Sequence, residues 1–259
     1  MGAFKDQHFL TDLRAVEKIA DAIPVAKRTI LEIGPGGGVL TRALLDRGAV
    51  VHAVELDTGL LPNLEQRFAD ELADGRLTIT LGDASKVPLP PYEAVVANLP
   101  YSISSKITFR LLEEGFEEAV LMYQLEFAKR MAAVPGTSDY GRLSVTVQAY
   151  ADVELILELP PHAFSPAPEV WSAVVIVRPR PSPVAIEDRR VFENLVRELF
   201  SHRRKTIANG FKGLASFYGK EAVKSFTASL DSAILEKRPE VLSVAEFIEL
   251  SNTLCRFIK

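Results

Sequence analysis

The sequence predicts an α/β protein: a mostly parallel sheet covered by helices on both faces, with antiparallel strands at its end and a small helical domain after it. Three observations carry this reading. Five strand-sized runs before residue 124 are β-branched and almost wholly apolar, as strands buried on both faces should be. Amphipathic stretches separate them, the alternation from which parallel βαβ units are built. A proline-rich break, RPRPSP at 178–183, then marks a change to helical periodicity.

The five runs are TILEI (29–33), VVHAV (50–54), LTIT (77–80), AVVA (94–97) and AVLMY (119–123). Helical patterns lie between them at 39–47, 58–70 and 104–114. Two more strand patterns follow, LSVTVQAYADVELILEL and SAVVIV, joined by PPHAFSPAPEVW. That connection is too short for a crossover helix, so these last strands are expected to be antiparallel. Three prolines within RPRPSP can continue neither a ladder nor a helix. The stretch therefore reads as a linker between a domain at 1–180 and one at 181–259. Beyond it, residues 187–200 and 241–250 place apolar positions three and four apart, so the second domain reads as helical.

Of the 259 residues, 47% are hydrophobic and 25% charged, which excludes a disordered chain. No apolar run approaches the ~20 residues of a membrane-spanning helix. The opening MGAFKDQHFLTDLR carries charges where a signal peptide needs an apolar core, so a cytoplasmic protein is expected. A single cysteine, Cys255, allows no intrachain disulfide framework. The histidines His8, His52, His162 and His202 show no metal-ligand spacing, so no metal site is expected. The net charge is −4 but is unevenly spread. Residues up to Arg180 hold 17 basic and 24 acidic side chains, and the remainder holds 13 and 10. A basic tail domain on an acidic body is a candidate polyanion binder.

The first chemical signal is ILEIGPGGGVLTRALL. A buried strand ends at Ile33, four glycines follow (Gly34, Gly36, Gly37, Gly38), and a helix begins. Glycines allow a tight turn and let a ligand approach bare N–H groups ahead of a helix N-terminus. The dinucleotide fingerprint G-x-G-x-x-G fails at Val39, and no Gly-Lys-Ser/Thr follows as in a P-loop. Glu55 ends the next strand, where a carboxylate can accept both hydroxyls of a ribose. Asp83 ends the third strand at the same sheet edge. It suits a hydrogen bond from an adenine amino group and equally a helix N-cap. Together the three positions point to a nucleoside-containing cofactor.

The fourth strand ends in ANLPYSISS. Pro100 stiffens that turn and removes a donor, leaving carbonyls and the Asn98 amide oxygen facing outward. Tyr101 supplies a flat face for a base. Acceptors around an exocyclic amine such as adenine N6 hold the nitrogen and favour localisation of its lone pair. They also aim it at an electrophile, and positioning supplies much of such a barrier reduction.

With these residues in place, the sequence resembles the class I S-adenosylmethionine-dependent methyltransferases. More narrowly, it is similar to the small-subunit rRNA adenine N6,N6-dimethyltransferases (the KsgA/Dim type). The matching segments run almost end to end: DQHFLTD, LEIGPGGGVLT, the strand ending in Glu55, GDA at 82–84, NLPYSISS, QLEFAKRM, YGRLSV, FSPAPEVWSAVV, RRKTIAN and RPEVLSVAEFIEL. The resemblance implies a Rossmann-like fold with a mostly parallel seven-stranded sheet, an antiparallel last strand and a small C-terminal helical domain. It implies S-adenosyl-L-methionine as cofactor and the rRNA of a pre-ribosomal small subunit as partner, for a monomeric enzyme with no membrane partner. His8, Leu10, Gly34, Gly36, Glu55, Asp83 and Asn98 would then touch the cofactor. Asn98 and the Leu99 carbonyl would accept from the target N6, with Tyr101 and Phe164 on the two faces of the target base. The cluster Arg203, Arg204 and Lys205 would grip RNA phosphates from a helix. Two alternatives share much of this pattern, a large-subunit rRNA adenine methyltransferase and a ribosome-assembly or nucleic-acid-binding factor with secondary catalysis. FSPAP and RRKTIAN favour the small-subunit branch, and an intact Asn98 and Tyr101 speak against a non-catalytic binder.

Overall fold

The computed structural model describes residues 7–258. In chain order the strands are β1 (Phe9–Leu10), β2 (Thr29–Ile33), β3 (Val50–Glu55), β4 (Leu77–Leu81), β5 (Ala94–Asn98), β6 (Glu118–Gln124), β7 (Ala151–Leu159), β8 (Phe164–Ser165) and β9 (Ser172–Pro179). The helices that frame the argument are α1 (Leu13–Ala20), α2 (Val39–Asp46), α3 (Leu61–Arg67), α4 (Ala69–Ala73), α5 (Ser104–Glu114), α6 (Leu125–Ala132), α7 (Arg142–Gln148) and α8 (Arg189–Ser201).

Seven strands form one sheet in the order β4-β3-β2-β5-β6-β9-β7. β2 to β6 pair in parallel, and β9 runs antiparallel to β6. Residues Ile30–Ile33 and Ala94–Ala97 are all buried, because helices cover both faces of these strands. The expected parallel sheet with an antiparallel last strand is what the chain forms. The strand order reverses between β2 and β5. In open α/β sheets, ligands bind outside the carboxyl ends of the strands at such a switch point. Gly34 and Asn98 sit there: a Cβ on Gly34 would lie 3.8 Å from the Asn98 carbonyl oxygen.

The chain divides into two compact units. One runs to Ala128 and resumes over Val153–Pro179; the other takes Lys129–Asp152 and the chain from Arg180 on. The expected boundary at 180/181 thus falls within a residue of one crossing and misses the earlier excursion. The reason lies in LSVTVQ, which the β-branched pattern assigned to a strand. It is the helix α7, where Thr146 Oγ1 donates to the Arg142 carbonyl at 2.7 Å. Val145 and Ala149 are buried in the same apolar cluster as Phe192, Leu195, Leu199 and Phe247. Burial on that cluster outweighs the β preference, which is a weak and context-dependent term. The Tyr140 hydroxyl donates to the Leu242 carbonyl at 2.8 Å, tying this excursion to the rest of its unit. The charge asymmetry is sharper by unit than by the sequence boundary. The second unit holds 17 basic against 12 acidic residues, and the first 13 against 22.

Candidate active site

The glycine loop leaves β2 with left-handed backbone at Gly34 (φ 71°), Gly36 (φ 58°) and Gly38 (φ 75°). Only glycine takes such angles without strain. Close packing adds a second reason. A Cβ on Gly36 would lie 2.7 Å from the Phe9 ring, and one on Gly38 2.5 Å from the Phe68 ring. Arg67 Nη1 donates to the Gly37 carbonyl at 2.6 Å, holding the loop from α3.

Glu55 is buried at the end of β3. Its Oε2 accepts the Gly36 N–H at 3.2 Å and its Oε1 the Asp57 N–H at 2.8 Å. The carboxylate is therefore fixed beside the loop with further lone pairs on each oxygen, the arrangement a ribose diol needs. Asp83 follows β4. Its Oδ1 accepts the Ser85 N–H at 2.9 Å, and its Oδ2 lies 2.9 Å from Lys86 Nζ. The Ser85 hydrogen bond, followed by that of Lys86, holds the Asp83 carboxyl well below the usual carboxylate range. Asp83 thus braces a turn, since no helix lies between β4 and β5 where the sequence allowed an N-cap, and it also faces a cavity. That cavity, of about 160 Å³, is bounded by Gly34, Glu55, Asp83, Gln7, Ser102 and Ile103 among others. It continues, across shared Gln7, Gly34, Glu55 and Pro100, into a second hollow lined by His8, Phe9, Gly36, Asn98, Leu99 and Tyr101.

Asn98 closes β5. Its Nδ2 donates to the His8 carbonyl at 3.0 Å, which fixes the amide so that Oδ1 is its remaining acceptor. Leu99 is buried and anchors the turn beneath the hollow. The Tyr101 hydroxyl bonds Ser172 Oγ at 2.6 Å, so the phenol is held by its tip. His8 lies with its ring centroid 5.6 Å from that of Tyr101, and its Nδ1 is 2.9 Å from the Pro166 carbonyl oxygen. One more ionisable group lies at the root of the loop. Glu32 is buried in β2, and its Oε2 accepts the Thr41 hydroxyl at 2.7 Å. Burial pushes its carboxyl up to about 8.

The fold therefore gathers His8, Gly34, Gly36, Glu55, Asp83, Asn98, Leu99 and Tyr101 around one continuous cleft. Leu10 and Phe164 are placed differently. They face each other in the short β1–β8 ladder, and both side chains are buried in the apolar core, at 7% and 4% exposure. Neither lines the cleft, because two apolar side chains in that register bury against each other and the core. Gln7, which lines both hollows, escaped the sequence reading although it adjoins His8. Its Nε2 donates to Asp57 Oδ2 at 3.1 Å.

The basic cluster also needs correction. Residues 202–205 form a turn after α8 rather than a helix. Arg203 Nε pairs with Glu240 at 2.9 Å, and its two terminal nitrogens donate to the Ser138 and Thr137 carbonyls at 2.7 and 3.1 Å. A guanidinium with all three nitrogens engaged is a fastener within its own unit. Arg204 and Lys205 are exposed.

The model for the family described as ribosomal RNA adenine dimethylase matches residues 3–252. The chain belongs to this family. It is 56% identical over 254 residues to the probable ribosomal RNA small subunit methyltransferase A of Methanospirillum hungatei, covering 98% of this chain and 99% of that protein. It is 44% identical to the protein of the same description from Methanococcoides burtonii, covering 97% and 92%. Among solved structures, a dimethyladenosine transferase from Plasmodium falciparum superposes with a TM-score of 0.81 at 28% identity, over 96% of this chain and 98% of that one. The 23S rRNA methyltransferase ErmE gives 0.69 at 26%, over 95% and 99%. Within this family frame, the cleft occupies the switch point between β2 and β5.

Proposed function

We propose that this chain transfers methyl groups from S-adenosyl-L-methionine to N6 of two adjacent adenosines in a loop near the 3′ end of small-subunit rRNA, giving N6,N6-dimethyladenosine. The observation that carries this is the Asn98 amide. One of its two amide N–H groups is held by the His8 carbonyl, which orients the amide while its oxygen remains an acceptor, and it stands next to the cleft that Glu55 and the glycine loop form. Curated relatives at 56% and 44% identity, both described as small-subunit methyltransferases, favour this substrate over large-subunit rRNA.

The cleft residues fit the cofactor. Glu55 would hold the ribose hydroxyls, Asp83 the adenine amino group, and Gly34, Gly36 and Gln7 the methionine side. When bound, the cofactor supplies a methyl group on a positively charged sulfur. The chain's own part is to bind and aim. Asn98 Oδ1 and the Leu99 carbonyl accept the N6 hydrogens of the target, which favours the lone pair on nitrogen over delocalisation into the ring. Tyr101, tethered through Ser172, presents its ring to the base and restricts its orientation. A duplex base must leave its stack to reach this hollow, at a cost of a few kcal/mol, so a loop or single-stranded target is favoured. Arg204 and Lys205 supply positive charge for RNA phosphates from the basic unit.

The enzyme acts in the cytoplasm as a monomer on a pre-ribosomal small subunit. Among the described residues no helix is long and apolar enough to cross a membrane. Incubation with tritiated cofactor and unmethylated small subunits, followed by nucleoside analysis, should yield labelled N6,N6-dimethyladenosine. Label in any other nucleoside, or none, refutes the assignment.

A further inference from the structure

We propose that Trp171 is a stacking platform for the nucleotide next to the target adenosine. It is the only tryptophan in the chain, and it is 48% exposed. Its neighbour Ser172 is fully buried and holds the Tyr101 hydroxyl. Ser172 opens β9 with its hydroxyl on Tyr101, and Trp171 is the residue immediately before it, one backbone step from the group that tethers Tyr101. The backbone beneath the indole is pinned, because the Trp171 carbonyl accepts the Leu125 N–H at 2.9 Å. The backbone that carries the ring is thus held while the indole surface stays open.

An exposed indole next to exposed Val170 (44%) leaves apolar surface in water without compensation. Phe217, the other large exposed aromatic ring among the described residues, already carries the Arg197 guanidinium at 5.1 Å. Trp171 has no ring or cation partner among the described residues. The occupant is a nucleobase rather than an apolar side chain because the substrate itself brings one there. With the target base against Tyr101, the next base on the strand is one backbone unit away, and every base has a face that stacks on an aromatic ring. The platform would also keep the strand in register while its adenosine is turned into the hollow.

The inference rests on the placing of the target base at Tyr101, and the test separates the two. With unmethylated small subunits and saturating cofactor, Trp171→Ala should raise KM about tenfold, the effect of losing one stacked base, and leave kcat nearly unchanged. Trp171→Phe should restore most of the affinity. In the wild-type protein the sole tryptophan reports directly. Its fluorescence should be quenched by a short single-stranded RNA containing one adenosine flanked by bases. The same RNA with abasic flanking nucleotides should quench it far less. An unchanged KM in Trp171→Ala, a loss confined to kcat, or equal quenching by the two RNAs would overturn the proposal. If Tyr101→Ala kept full kcat while the Trp171 effects persisted, the placing of the target base at Tyr101 would fall instead.

Discussion

Replacing Glu55 with glutamine keeps its size and changes its hydrogen-bonding chemistry. Each carboxylate oxygen already accepts one backbone N–H, from Gly36 at 3.2 Å and from Asp57 at 2.8 Å. A glutamine offers one acceptor and one donor group. In either orientation one backbone N–H meets an N–H, and the site is buried. An unsatisfied buried group costs about 1–3 kcal/mol of stability. The cofactor loses more specifically, because one ribose hydroxyl loses a charged acceptor. Hydrogen bonds to charged groups are worth about 1.5–3 kcal/mol, so affinity for S-adenosylmethionine should fall by about ten- to a hundredfold. Glu55→Ala removes both acceptors and should weaken binding at least as much. Calorimetric titration gives the affinity, and a thermal melt separates it from loss of fold. A variant that melts as a folded protein and binds within about twofold of wild type would refute the ribose assignment and the arithmetic.

Asn98→Ala should lower turnover by more than it lowers cofactor affinity, since the amide acts on the reacting nitrogen; equal losses in single-turnover rate and in calorimetric affinity would reduce Asn98 to a binding residue. Glu32 makes stability pH-dependent. Its folded carboxyl keeps a proton up to about 8, against 4.5 ordinarily, so between these values the unfolded chain binds fewer protons and stability falls as pH rises. Glu32→Gln should flatten the denaturation midpoint across that window, and parallel curves for the two proteins would show that Glu32 is not the cause. Arg204→Ala with Lys205→Ala should leave cofactor binding intact and reduce the salt slope of RNA binding by up to about one unit for each phosphate no longer neutralised. Arg203→Ala should instead destabilise the helical unit by up to about 1 kcal/mol, because it removes a partly exposed ion pair to Glu240 and two hydrogen bonds to the Ser138 and Thr137 carbonyls, read from urea unfolding; the reverse pattern would restore Arg203 to the RNA surface.

What the sequence determined by itself was the sheet and most of the cleft. Buried parallel strands must be apolar throughout, and a loop that turns tightly beside a ligand must be glycine. Hence TILEI, the loop at Gly34–Gly38 and the strand-end residues Glu55, Asp83 and Asn98 were legible in one dimension. Their joint position follows from topology, because the carboxyl ends of parallel strands share one edge. The tertiary structure alone decided where side chains of ambiguous chemistry go. LSVTVQ carries a strand pattern, yet it is helical because the second unit's core buries Val145 and Ala149. Phe164 has the right ring for stacking, but its register opposite Leu10 buries it. Arg203 looks like its neighbours Arg204 and Lys205 in a string of cations. Only the fold brings Glu240 and two carbonyls to it. Charge and aromaticity are properties of a residue, whereas exposure depends on contacts between residues far apart in the chain, and a linear pattern does not encode those.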